Sequence, residues 1–341
     1  MKKILPICLI SLLFCACRKD RPPLPLRTDT LKVENTTARL LILNEGNFMM
    51  GNSGLSLHSF ESGFTREDVY REVNGNSLGD VAQSMSLIGN ELWIVVNNSG
   101  KIVVLDTADF KQKKVINGMQ SPRYMLPLNG SVLVSDLYAR KLHLINQENK
   151  TLSAQIPFHT WTEEMAINDA GIWISAPYSR YVYRMKAPFT RISDSLEIGY
   201  RCSWLEQHAD GKISGLSAGQ GNEEARLWTI DNSGQLLQSQ TLPFQAQTVH
   251  DLEFIDNRYY FLTPDGLFSV QDSIIKLIFP AGNRNFYSMS WLDNPGLLAI
   301  TDAKDYVSRG EVLLLRPDGD QVILAGELKA GIIPGRMLVF E

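Results

Sequence analysis

The sequence predicts an all-β fold, a seven-bladed β-propeller whose last strand completes its first blade. Three observations predict it. Laid against itself with a shift of 40 residues, the stretch from Leu78 to Tyr178 matches without a gap over three successive copies. Met85, Met125 and Met165 then share one register position, Trp93, Leu133 and Trp173 another. Apolar residues come in short runs broken by Asn, Gly, Asp and Pro every 8 to 12 residues, with no sustained helical period. Finally, Gly331-Ile332-Ile333-Pro334-Gly335-Arg336-Met337 aligns with Gly118-Met119-Gln120-Ser121-Pro122-Arg123-Tyr124, the segment that opens the inner strand of the third blade. A repeat of about 40 to 45 residues holding four short strands has the length of a propeller blade.

Taken in order, the first 17 residues read as a leader. Lys2 and Lys3 form a charged start, Ile4 to Ala16 a short apolar run, and Leu13-Phe14-Cys15-Ala16-Cys17 a lipobox, so Cys17 is the expected lipidation site. Residues 18–37, polar and then rich in proline at Pro22, Pro23 and Pro25, read as an extended tether. The propeller is expected over 38–341, anchored to a membrane without spanning it.

Blade 1 opens with Leu40 to Leu43, Leu55 to Phe60 and Val69 to Glu72, three strands that lack an innermost partner. The C-terminal segment is expected to supply it and leave the ring without an open edge. Blades 2, 3 and 4 are Leu78 to Asn117, Gly118 to Pro157 and Phe158 to Glu197. Blade 5 starts at Ile198 and carries an insertion, Ser217 to Glu224, between its second and third strands. Blade 6 runs through Leu252 to Ile255, Tyr259 to Leu262 and Leu267 to Val270. Blade 7 has Ser288 to Leu292, Leu297 to Thr301, a long loop from Asp302 to Gly310, and Val312 to Leu315.

Bulk properties narrow the function. With 341 residues, 44% hydrophobic and 21% charged, the chain can bury a sizeable core and has no disordered or collagen-like bias. A net charge of -4 without a basic run makes it a poor partner for a phosphate backbone, so nucleic acid is set aside. Cys202 is the only thiol after Cys17, which excludes an intramolecular disulfide or a cysteine metal site in the mature chain. Beside Trp204 it reads as a small core residue. No His-Glu-x-x-His, Gly-x-Ser-x-Gly, P-loop or dinucleotide fingerprint appears, so the chain is expected not to be an enzyme and to hold no metal.

In a propeller, the connection from each outer strand to the next inner strand and the loop between second and third strands open on one face. The connections bring Asp80, Gln83, Arg123, Tyr124, Trp161, Glu163, Trp204, His250, Tyr287 and Arg336 to that face. The loops bring Asn44, Glu45, Asn47, Phe48, Asn97, Asn98, Asp136, Tyr138, Tyr178, Arg180, Gln220, Asn222, Asp305 and Tyr306. Aromatics, amides and arginines together suit a large, flat ligand that bears amides or sugars. Other readings stay open. Gln83, Arg123, Glu163 and Arg336 share one repeat position, where Arg123 and Glu163 could simply pair. Tyr138 and Tyr178 could pack on neighbouring blades. His159 and His250 alone among the histidines reach the face, a thin basis for a metal site.

The runs Leu43-Asn44-Glu45-Gly46-Asn47, Leu78-Gly79-Asp80-Val81-Ala82-Gln83-Ser84-Met85, Val95-Val96-Asn97-Asn98-Ser99, Ser121-Pro122-Arg123-Tyr124 and Val134-Ser135-Asp136-Leu137-Tyr138 resemble a family of Bacteroidetes lipoproteins with a seven-bladed, YncE-like propeller. Within it the chain is most similar to the BtuG-type members, which capture cobalamin at the cell surface and pass it to a TonB-dependent outer-membrane transporter of the BtuB type. The resemblance implies a lipid-anchored outer-membrane protein, displayed on the cell surface, with a corrinoid as bound ligand and no catalytic cofactor. Asn, Gln and Asp would then bond the corrin amides, aromatics would lie against the ring, and Arg would meet the nucleotide-loop phosphate. A scaffold for a glycan or a partner protein, and a metal-dependent lactonase-type hydrolase, are the competing functions.

Overall fold

The computed structural model describes Val33 and residues 36–341. The leader, Cys17 and most of the expected tether lie outside the described residues. Seven four-stranded antiparallel sheets form the ring. In six of them the strands follow one another in chain order from the channel outward. In blade 1 the innermost strand is Pro334–Phe340, which pairs with Arg39–Asn44 from Arg39 against Phe340 to Asn44 against Pro334. The C-terminus therefore closes the first blade, as the alignment of Gly331 to Met337 predicts.

The second strand of each blade packs against neighbouring blades on both faces, which is why it reads as a continuous apolar run. Glu91–Val96, Ser131–Asp136, Gly171–Ile174 and Leu297–Asp302 are buried almost throughout. The core accordingly lies between blades. Leu41, Leu43 and Leu55 of blade 1 meet Leu92, Ile94 and Val103 of blade 2, and Trp93 and Val95 of blade 2 meet Val132 and Val134 of blade 3. Trp173 of blade 4 meets Trp228 of blade 5, and all three of these tryptophans are fully buried. The conspicuous apolar repeat positions are thus blade packing.

One element differs from the sequence reading. Val69–Asn74 is a helix, and the outer strand of blade 1 is the three-residue Phe64–Arg66. Asp68 caps the helix by accepting from Arg71 N at 3.1 Å, and Gly75 ends it in the left-handed conformation. Val69 and Tyr70 are buried against blades 1 and 2. The adjacent apolar pair satisfies a helix turn lying on the core as readily as a strand.

We call the face with the blade-to-blade connections upper. The chain enters the ring on the lower one, where Thr36 Oγ1 donates to Asn294 Oδ1 in the first turn of blade 7 at 2.9 Å. No helix among the described residues is long and apolar enough to cross a membrane.

Candidate functional site

Six of the seven inner strands carry a register shift at their upper end. In blade 2, Ala82 pairs with Val96 and Ser84 with Val95, which leaves Gln83 as the extra residue. Corresponding shifts leave Arg123 and Tyr124 in blade 3, Asp251 and Leu252 in blade 6, Tyr287 in blade 7 and Gly335 and Arg336 in blade 1, with Ser203 in blade 5. A β-bulge bends its strand and re-aims the side chain it carries. Here it turns successive polar side chains into the channel mouth.

These side chains bond across blades. Arg123 Nε donates to Glu163 Oε2 at 2.8 Å, and its Nη1 donates to Gln83 Oε1. Arg336, on the closing strand, donates to the Tyr124 hydroxyl at 3.0 Å and to Glu164, and its Nη1 lies 3.6 Å from Asp251 Oδ1. One guanidinium therefore ties blade 1 to blades 3, 4 and 6. Asp251 is held in turn by Ser288 Oγ and Met289 N, both at 2.8 Å. Tyr287 donates to Glu45 Oε2 at 2.9 Å. Over this floor lies a cavity of about 440 Å³, walled by Trp204, His250, Phe286 and Tyr306 and bounded by the Arg123, Tyr124 and Arg336 side chains.

The mouth holds more carboxylates than guanidiniums. Burial pushes Glu45 and Glu164 up to about 7, against the pull of Tyr287 and the arginines on the first and of Arg336 on the second. Deeper in the channel, burial and mutual repulsion raise Glu206 and Glu253 as well. Burial lowers His250, which bonds through Nε2 to the Phe286 carbonyl at 3.1 Å. Such a floor accepts hydrogen bonds readily and disfavours a second anion.

The sequence-predicted residues separate into three groups. Gln83, Arg123, Tyr124, Trp204, His250, Tyr287, Tyr306 and Arg336 line the cavity, with Glu163 buried beside Arg123. A second group stands on the rim. Trp161 lies edge-on between Tyr138 and Tyr178, at centroid distances of 4.9 and 4.4 Å, and both tyrosines are half exposed. Opposite them Phe48 is exposed, and Asn47 Nδ2 donates to the Tyr306 carbonyl, joining the loops of blades 1 and 7. Asp80 accepts from Met49 N at 2.9 Å and from Asn98, which is exposed.

The third group is structural. Asp136 is wholly buried and accepts from Gln120 N, Ser121 N, Tyr138 N, Ala139 N and His143 Nε2. Asn44 is buried in the closing seam, where it accepts from Gly331 N at 2.8 Å and donates to Ser56 Oγ at 2.9 Å. Asn97 braces blade 2 to Ser121 and Pro122, both at 2.9 Å. Arg180 pairs at the outer edge with Glu197 and Glu223. These four read as loop residues in the sequence, but turns near a propeller face need internal hydrogen-bond acceptors and donors of their own. Asp251, Glu164, Gln247 and Asn285 also belong to the mouth, and only their adjacency to His250 and Glu163 marks the first two in the sequence.

His159 bonds Tyr183 at 2.9 Å and stacks on Phe158. Among the described residues no group of three or more His, Cys, Asp or Glu side chains is placed to hold a metal ion.

A family model described as a domain of unknown function (DUF5074) matches residues 39–279, the first six blades apart from the closing strand. Among curated proteins, none matches the chain. Solved structures do. A quinonprotein alcohol dehydrogenase-like protein from Bacteroides thetaiotaomicron aligns with TM-score 0.66 at 11% identity, covering 87% of this chain and 77% of that one. A putative 6-phosphogluconolactonase from Bacteroides fragilis aligns with TM-score 0.64 at 13% identity over 91% and 99%. The periplasmic gluconolactonase of Pseudomonas aeruginosa aligns with TM-score 0.65 at 11% identity over 89% and 99%. At such identities the likeness is one of fold, and it carries no activity across.

Proposed function

This chain belongs to the DUF5074 family, and on that premise we propose that it is a non-enzymatic corrinoid-binding propeller. It takes cobalamin on its upper face and passes it to a TonB-dependent outer-membrane transporter of the BtuB type. The observation that carries the reading is the pairing of a carboxylate-rich, hydrogen-bonded floor with an aromatic rim on one face. A corrinoid is larger than the drug-sized ligands that a cavity of about 440 Å³ encloses. It would lie across the mouth with its ring against Trp161, Tyr138 and Tyr178. Its rim of primary amides would donate to the acceptors below.

The floor also sharpens the role given to arginine. Arg123 and Arg336 already hold carboxylate partners, so they preorganise the floor, and the nucleotide-loop phosphate is better placed outside the channel. No bond is made or broken in this reading. A rigid ligand on a rigid site loses little conformational entropy, which favours tight capture. Lipidation at Cys17, attachment to the outer membrane and display on the cell surface complete the proposal, and they rest on the leader sequence.

Titration of the purified protein with cyanocobalamin tests it. Saturable binding with a shifted corrin absorbance is the expected result, and no binding at micromolar ligand would overturn it. Binding of a glycan in place of corrinoid would favour the scaffold reading, and metal that copurifies in stoichiometric amount would favour the hydrolase.

A further inference from the structure

The outer strands of three consecutive blades, 5, 6 and 7, each carry two exposed large aliphatic side chains, whereas those of blades 2, 3 and 4 carry none and that of blade 1, next to blade 7, carries only Phe64, 38% exposed. The band consists of Leu236 and Leu237 in blade 5, Ile274 and Leu277 in blade 6, and Ile323 and Leu324 in blade 7, each between 41% and 60% exposed. All six lie within the first four residues of their strands, Leu236–Leu242, Ile274–Pro280 and Gln321–Ile332, and therefore at the lower rim. Gln240 Nε2 bonds the Ser273 carbonyl at 3.1 Å and Lys276 Nζ bonds Asp320 at 2.7 Å, so the three blades form one continuous edge. The corresponding strands of blades 2, 3 and 4 open with Gln112, Lys113 and Lys114, with Thr151 and Ser153, and with Asp194. An apolar patch confined to one side of a soluble ring marks an interaction surface.

The place where the chain enters identifies the partner. Val33 N donates to the Phe60 carbonyl at 3.1 Å, and its side chain packs in the same cluster as Ala325, the neighbour of Leu324. The polypeptide coming from Cys17 thus reaches the ring beside the blade 7 end of the band. Fifteen residues lie between Cys17 and Val33, and fully extended they would let the two stand at most about 58 Å apart. A lipid on Cys17 would hold the lower face toward the bilayer, with the band as the first surface to meet it.

We propose that, before the chain engages a transporter, the lower rim of blades 5 to 7 rests on the lipid bilayer, aliphatic side chains in the headgroup region, and leaves the upper face open to solvent for capture of ligand. The inference rests on the lipid-anchor reading of Cys17. Contact at the rim adds to the acyl anchor a second, orienting attachment of the kind that half-buried apolar surface supplies at a membrane interface.

The test uses the full chain, acylated and reconstituted into phosphatidylethanolamine and phosphatidylglycerol vesicles, with an environment-sensitive fluorophore on Ile274→Cys and, as control, on Asn98→Cys of the upper face. Cys202 is fully buried and leaves the added thiol as the reactive one. The expected result is a twofold or greater rise and a blue shift at position 274 on vesicles, none at position 98, and loss of the rise in the Leu237→Asp, Ile323→Asp double variant. An unchanged signal at position 274 on anchored protein would overturn the proposal. So would a rise that tracks protein concentration without vesicles, which would assign the band to a second copy of the chain. The anchor reading fails separately, by the absence of acyl mass on Cys17. In that event a chain that starts after Cys17, carrying an N-terminal histidine tag held on nickel-chelating lipid, keeps the added thiol as the reactive one, and the same two labels decide the rim.

Discussion

Tyr287 donates its hydroxyl to Glu45 Oε2 at 2.9 Å and so joins the inner strand of blade 7 to the loop between the second and third strands of blade 1. Glu45 is 8% exposed, and burial raises its carboxyl from 4.5 to about 7 in spite of that bond. A carboxyl that ionises later in the folded chain than in the unfolded one favours folding while it stays protonated. Its contribution is complete below pH 4.5 and is lost as pH rises through 7. At 1.36 kcal/mol per unit the effect is on the order of 3 kcal/mol. Glu164 adds a contribution of the same sign. Urea midpoints are therefore expected to fall between pH 5 and pH 8 in the ligand-free protein, and Glu45→Gln should flatten the slope; a midpoint constant across that window would refute the burial argument.

The edge-on trio of Tyr138, Trp161 and Tyr178 separates ligand contact from stability. Both tyrosines are half exposed and sit outside the interblade clusters. Surface truncations of this kind shift stability by about 0.5 kcal/mol or less, whereas an aromatic anchor at a binding site is worth about 2 kcal/mol. Tyr138→Ala and Tyr178→Ala are each expected to weaken cobalamin binding by about 10-fold or more, with Tm within a few degrees of the parent. Calorimetric titration beside thermal melts reads both quantities. Unchanged affinity in both variants would remove the trio from the site.

Asp136 should behave in the opposite way. It has no accessible surface, and its carboxylate collects four backbone N–H groups and the His143 ring. Burial by itself would raise its pKa, but His143 and the backbone donors outweigh burial and hold it below the usual carboxylate range. Asp136→Ala leaves those donors buried and unpaired, a loss of about 3 to 5 kcal/mol for a broken buried pair. The expected outcome is a large drop in urea midpoint, with the fraction that remains folded binding ligand at parental affinity.

How much of this was legible follows from what a repeat can encode. The ring, its seven blades and its closing strand were readable because blade packing demands apolar residues at fixed spacing, as at Trp93 and Trp173. The shared position of Gln83, Arg123, Glu163 and Arg336 was readable too, and bulges explain how the side chains of Gln83, Arg123 and Arg336 are aimed there. What the repeat does not encode is which turn residues bond inward. Asp136 and Asn98 occupy the same loop between second and third strands in neighbouring blades, yet one is sealed inside and the other is exposed. Their difference comes from cross-blade donors that no local pattern specifies. The stretch Val69 to Glu72 reads as a strand in the sequence but belongs to the helix Val69–Asn74, because its apolar pair suits either element and the caps at Asp68 and Gly75 decide for the helix.

The closing strand offers the most direct test of the architecture. Pro334–Phe340 is the only partner of Arg39–Asn44 on its inner side, and it carries Arg336, whose guanidinium reaches Tyr124, Glu164 and Asp251. Removing residues 334–341 would expose the buried edge of Leu40 to Leu43 and leave two carboxylates of the mouth, Glu164 and Asp251, without their cation, so two independent losses coincide. The truncated chain is expected to aggregate or to lose cooperative unfolding. Arg336→Met retains the strand and removes only the cation, leaving Glu164 and Asp251 buried together. It should give a closed ring that melts cooperatively but at lower temperature, and that loses more stability at pH 8 than at pH 5, because Glu164 is then driven further toward its neutral form. A truncated chain that melts cooperatively at the parental temperature would show that the clasp does not hold the ring.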